Sequence, residues 1–380
     1  MEKKVRIGTA ALLCVACAAA AALGTLAFVV FRLGGVDIFR ESCKYAAVRR
    51  VIDASYVGDI DAQGISDEAC RTAVSALGDR WSYYMSAEEY ENYMLYSANQ
   101  YVGIGVTISA VGGEYKIEAV AEDSPARAAG IVTGDVIVRV DGNVITALST
   151  AEIRALITEN GGAELTVRSP EGTERNVYVE CAAVYKEPVT SEMLHSDIGY
   201  IRIANFEDGS GDGAVSAAEE LLSNGARAII FDVRDNPGGK VSELLKILDA
   251  LLPEGELFIS VDRDGNETVD TSDPACIEEP MAVLINGSSY SAAEFFAAVM
   301  SEYGAAVTVG EPTTGKSRSQ VTAVLADGSA VHLSKYKYLT PGRKDLFEQG
   351  GLVPDIEAEP GSESGEDAQL AEAIAALTGK

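Results

Sequence analysis

The 380 residues include 30 basic and 58 acidic side chains, for a net charge of −28, with 47% hydrophobic and 23% charged residues. A chain of this length builds two or three domains, and its composition is that of ordinary globular material. So acidic a balance argues against nucleic acid as a partner, because that binding rests on Lys and Arg neutralising phosphates.

Lys3, Lys4 and Arg6 precede an uncharged stretch of 25 residues, Ile7 to Phe31. About 20 apolar residues cross a bilayer as a helix. A cleaved signal has a shorter apolar region, roughly 7–15 residues, before a small-residue cleavage site. Here LAFVVF carries the apolar run past the alanines. Residues 1–35 therefore read as a signal anchor retained in the cell membrane, single-pass, with a cleaved signal as the alternative. The basic cluster places the N-terminus in the cytoplasm and everything after Arg32 on the extracytoplasmic side. Lipoprotein acylation at Cys17 fits poorly, since Cys14 stands where Leu is wanted. Cys43, Cys70, Cys181 and Cys276 form no C-x-x-C pair, so no metal is expected, and their disulfide status stays open.

Residues 38–97 read as helices. ESCKYAAVRRVIDASYV spaces its apolar residues by three and four, and SDEACRTAVSALGD offers Ser66 as an N-cap. The tyrosines of RWSYYMSAEEYENYMLY are expected to pack against the main body.

From Tyr101 the period changes to two. YVGIGVTIS alternates, TAEIRALITEN is a short helix, and AELTVRSPEGTERNVYVE is a hairpin around SPEG. Within this segment, residues 98–185, SPARAAGIVTGDVIVRVDG resembles the core of a bacterial PDZ domain. That resemblance implies that Gly103, Ile104 and Gly105 open a loop whose N–H groups hold a peptide's C-terminal carboxylate. Glycine lets the backbone approach closely, and successive N–H groups make an anion nest.

From Ile198 strands and helices alternate: IGYIRIANF, GAVSAAEELLSNG, ARAIIFDVRDNPGG, KVSELLKILDALL, then MAVLINGSSYSAAEFFAAVMSEYG and AAVTVG. QVTAVLADGSAVHLS is a hairpin around Asp327-Gly328. Residues 359–380 read as an acidic linker and a terminal helix.

GEPTTGKS, residues 310–317, has the spacing of a phosphate-binding loop. Such a loop must lead into a helix whose N-terminus faces the phosphate, and here a hairpin follows. A different chemistry fits better. Ser291 lies between a buried strand and a helix, where the next amide can stabilise an oxyanion. A serine nucleophile needs a base. His195 and His332 have no evident carboxylate companion and read as structural. Lys316 can serve if burial lowers its pKa.

With these residues in view, the chain strongly resembles the C-terminal processing peptidases, PDZ-containing serine proteases with a Ser-Lys dyad. SYSAAE matches the family's nucleophile stretch with Ser291 as its middle serine. VGEPTTGK matches the lysine stretch at a separation of 316 − 291 = 25 residues. The resemblance implies that Gln320 orients Lys316. DVRDNPGG implies that Gly238 or Gly239 forms the oxyanion hole with Ala292. LTPGRKDLFEQGGLVPDI and GDRWSYYMS match flanking segments, so the likeness runs over about residues 45–357. It implies an α/β, crotonase-like protease core at 186–358 with a mostly-β PDZ domain inserted. It further implies a serine endopeptidase without cofactors that acts on proteins with accessible C-termini. The terminal helices offer surfaces for a homodimer, and the oligomeric state stays open. Tyr290, Ala293, Thr314 and the SRSQ after Gly315-Lys316 depart from the family pattern. They leave a second reading, a catalytically weak or inactive tether that binds C-terminal tails.

Overall fold

The computed structural model describes residues 7–111, 113–195, 197–361 and 367–379, and the chain divides into two units, Met1–Ala69 and Cys70–Lys380. Lys3, Lys4 and Arg6, and residues 362–366 of the acidic linker, lie outside the described residues.

In the first unit a helix spans Ile7–Arg32. Its stretch Ala11–Arg32, 22 residues long, is apolar enough to cross a membrane by length and composition. At 1.5 Å per residue it reaches about 33 Å, against a hydrocarbon core of about 30 Å. A second helix, Val36–Ser55, buries none of its residues. The next helix begins at Ala62, not at the expected Ser66 cap. The Asp61 carboxylate accepts the Gly64 N–H at 2.9 Å and satisfies an orphan donor one turn earlier, so Ser66 falls inside the helix.

The second unit also departs from the all-helical expectation for 38–97. Tyr83–Met85 is a strand, antiparallel to Ala330–His332. Its aromatic residues suit a half-buried pleat. The helix Ala87–Ser97 follows, with a Ser86–Glu89 capping box. The expected PDZ segment forms an antiparallel sheet in the order Val106–Val111, Glu114–Val120, Val136–Val140, Gly162–Arg168, Glu174–Glu180. Ile117, Ile137, Ile153 and Leu165 form its core. Val106–Val111 is an edge strand, and Ser149 and Glu152 cap the helix Thr150–Thr158. A two-stranded ladder, Gln100–Gly103 with Ala182–Tyr185, roots this domain.

The remaining core is built on a six-stranded sheet in the order Val189–Leu194, Ile198–Ile203, Ala228–Asp232, Met281–Ile285, Ala306–Gly310, Ile356–Glu357. The first pair is antiparallel and the others are parallel. AIIFD and MAVLI are buried at every position, as parallel strands covered on both faces must be. On one face the terminal helix Ala368–Thr378 covers Ile230 and Leu284. On the other, Ile229 and Phe231 meet the helices Ser210–Ser223, Val241–Leu251 and Ala292–Glu302. A second sheet includes Glu256–Val261 and Ala330–Leu339.

The helix Ala292–Glu302 is buried continuously from Ala292 to Met300, as a helix apolar on all sides should be. Its Phe296 ring lies 5.5 Å from Phe231 of the first sheet. Its Phe295 ring lies 4.8 Å from Phe258 and 5.2 Å from Tyr338 of the second. Phe296→Ala is therefore expected to destabilise the chain by about 3–5 kcal/mol, read as a lower urea midpoint at unchanged slope.

Candidate active site

The parallel strand Met281–Ile285 ends in a turn that leads into the helix Ala292–Glu302. Ser291 occupies the junction at φ 59° and ψ −122°, a conformation costing about 1–3 kcal/mol unless its surroundings enforce it. They do so through hydrogen bonds to the neighbouring strand end. Asp235 N–H donates to Asn286 Oδ1 at 3.0 Å, and Asn286 Nδ2 to Asp235 Oδ1 at 2.9 Å. Ser289 Oγ donates to the Val233 carbonyl at 2.7 Å, and Tyr290 N–H to the Asn236 carbonyl at 3.2 Å. The serine is thus aimed by a turn braced at three points.

Glu294, one turn into the helix, is fully buried. Its Oε1 accepts the N–H groups of Ser291, at 2.9 Å, and of Lys316. Its Oε2 accepts the Gly315 N–H at 2.8 Å and the Thr313 hydroxyl at 2.7 Å. Burial pushes the carboxyl up while these donors pull it down. Four donors fill both lone pairs of each oxygen, an arrangement that a protonated carboxyl could not accept in full. The same bonds answer the phosphate-loop question: a carboxylate already fills the nest where a phosphate would sit, and residues 318–324 form a strand.

Lys316 lines one cavity with Ser291. Its Nζ lies 4.5 Å from the centre of the Trp81 ring and 5.8 Å from that of Tyr290. Burial lowers its pKa to about 8, against the opposing pull of the Glu294 and Asp79 carboxylates. The buried Tyr338 hydroxyl donates to the Lys316 carbonyl and stands 3.5 Å from Ser291 Oγ. With its proton given to that carbonyl, Tyr338 has a lone pair for the serine hydroxyl.

The expected oxyanion donors differ in availability. Gly238 N–H is given to Asn236 Oδ1 at 2.8 Å. A Cβ at Gly238 would come 2.8 Å from the Ser291 Cβ and 2.9 Å from the Ala292 nitrogen, so glycine is required for this close approach. No described residue accepts the N–H of Gly239 or Ala292. Arg234 anchors the same loop through Asp232 at 2.6 Å and Asp367 at 2.8 Å.

The cavity, of about 360 Å³, also includes Gly238, Gly239, Ala292, Gln320, His332 and Tyr338. The Gln320 amide nitrogen donates to the Arg318 carbonyl at 2.8 Å and to Ser334 Oγ at 3.1 Å, and among the described residues no hydrogen bond joins it to Lys316. His332 Nδ1 pairs with Thr322 Oγ1 at 2.8 Å, and burial, with the Lys316 charge, drives its pKa down to about 4. Trp81, Tyr83, Tyr93, Tyr96, Glu207 and Lys240 also line the cavity. The tyrosines do pack on the main body, as expected, and they also line the site. Their one sequence signal is the spacing of Tyr90, Tyr93 and Tyr96, which sets an aromatic stripe along one helix face.

Gly103, Ile104 and Gly105 sit apart from this cavity, at the start of the PDZ edge strand. Gly105 has φ 81°, and a Cβ there would stand 2.2 Å from the Ser124 Cβ. Ile104 turns its side chain into the PDZ core, so only its backbone is available to a ligand.

Residues 197–358 match the model of peptidase family S41 and residues 116–169 that of the PDZ domain. The carboxy-terminal processing protease CtpA of Bacillus subtilis is 28% identical over 81% of this chain and 67% of its own length. A CtpA-like serine protease of Staphylococcus saprophyticus is 26% identical over 84% of this chain and 66% of its own. The chain thus spans about two thirds of the length of these relatives. Among solved structures, the photosystem II D1 C-terminal processing protease superposes with a TM-score of 0.52 at 23% identity, covering 92% of each chain. An S41 protease from Bacteroides fragilis gives 0.57 at 16%, covering 86% of this chain and 91% of its own. These superpositions show the fold.

Glu294→Ala would strand buried donors on both the serine turn and the lysine loop. A loss of about 3–5 kcal/mol is expected, measured by urea unfolding of the full chain. Glu294→Gln should recover part of it, since one amide oxygen still accepts.

Proposed function

We propose that this chain, a member of peptidase family S41 with a PDZ domain, is a membrane-anchored extracytoplasmic endopeptidase cutting proteins presented by their C-termini. The reading takes residues 1–35 as the anchor, 38–97 as a mainly helical segment that contributes the strand Tyr83–Met85, 98–185 as the PDZ domain, 186–358 as the protease core, and 359–380 as linker and terminal helix. The observation that carries it is a serine held at positive φ on a helix N-terminus, sharing one cavity with a desolvated lysine.

A substrate tail adds to the edge strand Val106–Val111, its carboxylate held by backbone N–H groups at Gly103–Gly105. The chain then crosses the cavity, and the PDZ domain gates access to it. Neutral Lys316 removes the Ser291 proton as Oγ attacks the scissile carbonyl. The N–H groups of Ala292 and Gly239 receive the oxyanion; Gly238, whose N–H is engaged, supports the turn. The ammonium returns its proton to the leaving amine as the C–N bond breaks. Water then attacks the ester, Lys316 takes its proton, and Ser291 recovers a proton as the acyl group leaves.

A pKa of about 8 leaves about one Lys316 amine in four neutral at pH 7.5, against about one in a thousand for an ordinary lysine. The second reading, a tether that binds tails without cutting, draws on the Gln320 amide being engaged away from Lys316.

The test is cleavage of an unstructured protein with an apolar C-terminus by the full chain in detergent. Ser291→Ala and Lys316→Ala should each abolish it; cleavage persisting in either rejects the dyad, and tail binding without cleavage by the wild type favours the tether. The acylation rate should rise with pH through about 8, because the deprotonated lysine is the active form. Trp81→Ala admits water to the amine and should move that midpoint upward.

A further inference from the structure

Glu207 lines the same cavity as Ser291 and Lys316, is 6% exposed, and has no part in the steps above. Its Oε2 accepts the Ser97 hydroxyl at 3.0 Å, the one side-chain donor to reach this carboxyl among the described residues. The neighbouring acids are paired. Asp208 meets Lys240 at 2.5 Å, and Glu243 meets Lys246 at 3.1 Å. Glu207 makes no ion pair among the described residues; burial pushes its carboxyl up, and the charge of Lys240, which also lines the cavity but is paired with Asp208, pulls it down more weakly. A buried carboxylate without a counter-ion is costly, and here the missing partner has a space to enter.

The walls of that space suit a cation. Tyr83, Tyr93 and Tyr96 border the cavity with Glu207. After burial, the Glu207 charge is the largest influence raising the hydroxyl pKa of Tyr93 and Tyr96, so the carboxyl and these phenols share one corner. Aromatic faces attract cations, and the methylene stem of Lys or Arg packs well on tyrosine. Glu207 also follows directly on the glycine loop: a Cβ on Gly239 would stand 2.9 Å from the Glu207 backbone nitrogen, and Glu207, Gly239 and Ser291 line the one cavity.

We propose that Glu207, with Tyr93 and Tyr96, forms a specificity pocket for a Lys or Arg side chain of the substrate next to the scissile bond. The proposal rests on the endopeptidase reading. The arriving ammonium or guanidinium supplies the counter-ion that Glu207 lacks, while neutral side chains enter without that gain. The bond to Ser97 alone would explain a structural glutamate, but it needs only an acceptor oxygen, which glutamine also has.

The test uses the full chain in detergent and amidated, internally quenched peptides. Lys, Arg, norleucine or Glu is placed in turn on each side of the cleaved bond. For the wild type, kcat/KM for Lys or Arg at one of these positions should exceed norleucine about tenfold. Glu207→Gln should bring that ratio near one, and Glu207→Lys should turn the preference toward Glu. Binding of the same peptides to Ser291→Ala, with and without Glu207→Gln, gives a readout independent of chemistry. Cleavage with no Lys or Arg preference, or a preference that survives Glu207→Gln, overturns the pocket and leaves the peptidase reading standing. Charge-selective binding that depends on Glu207, with no cleavage of any peptide, supports the pocket and overturns the peptidase reading.

Discussion

The site depends on one buried carboxylate. The proposed nucleophile and base come from separate elements, Ser291 from the turn after one parallel strand and Lys316 from the loop after the next. Their relative position must be fixed more tightly than loops alone allow. Glu294 does this by accepting an N–H from each residue on a single oxygen and binding Gly315 and Thr313 with the other. A carboxylate saturated by four donors has no low-energy alternative in a dry interior, because releasing any of them leaves a buried polar group unpaired. Its pairing energy therefore goes largely into position, and the positive φ of Ser291 persists under the same constraint.

The same carboxylate poses an electrostatic problem. A negative charge near Lys316 favours the ammonium form, yet the proposed base must be neutral. Desolvation is the larger influence and brings the pKa to about 8. The surrounding groups come from pieces far apart in sequence: Trp81 and Tyr290 over the amine and Tyr338 of the second sheet, whose hydroxyl meets the Lys316 carbonyl and faces Ser291 Oγ. The strand Tyr83–Met85 pins the Trp81 segment to that sheet. The aromatic N-terminal stretch is therefore part of the machinery that sets the lysine's charge state.

Much of this was legible in the sequence, and the reasons are local. AIIFD and MAVLI announce buried parallel strands because every residue but the closing Asp232 is apolar, and Asp327-Gly328 announces its hairpin. Ser291 and Lys316 stand out because a strand-to-helix serine and a lysine beside glycine carry chemistry in their surroundings. What escaped depends on distant pairing. Tyr83–Met85 is a strand only because Ala330–His332 lies beside it. Asp61 displaces Ser66 as the start of a helix by one hydrogen bond. Glu207 is an unremarkable acid in NFEDGS until the fold buries it among tyrosines. The difference between Gly238 and Gly239 rests on whether Asn236 reaches one amide, which spacing cannot reveal.

The segment Asn205–Asp208 draws these observations together. Phe206 exchanges backbone hydrogen bonds with the glycine loop, its N–H to the Gly238 carbonyl at 2.8 Å and its carbonyl from the Lys240 N–H at 2.7 Å. That parallel bridge uses the atoms on either side of Gly239 and turns the Gly239 N–H away from Phe206. On its other side the segment is bound to the root of the PDZ domain. Asn99 Nδ2 donates to the Asp208 carbonyl at 2.7 Å, Asn205 Nδ2 to Asn99 Oδ1 at 2.8 Å, and Lys186 N–H to the Asn99 carbonyl at 2.8 Å. Asn99 itself sits at φ 51°, just past the end of the helix Ala87–Ser97, where a left-handed residue closes the last turn. Through these bonds Asn99 is tied to Asp208 and Asn205, and through Phe206 to the loop that carries Gly239. The inserted domain and the proposed oxyanion donor therefore share one short segment, and that segment also carries Glu207.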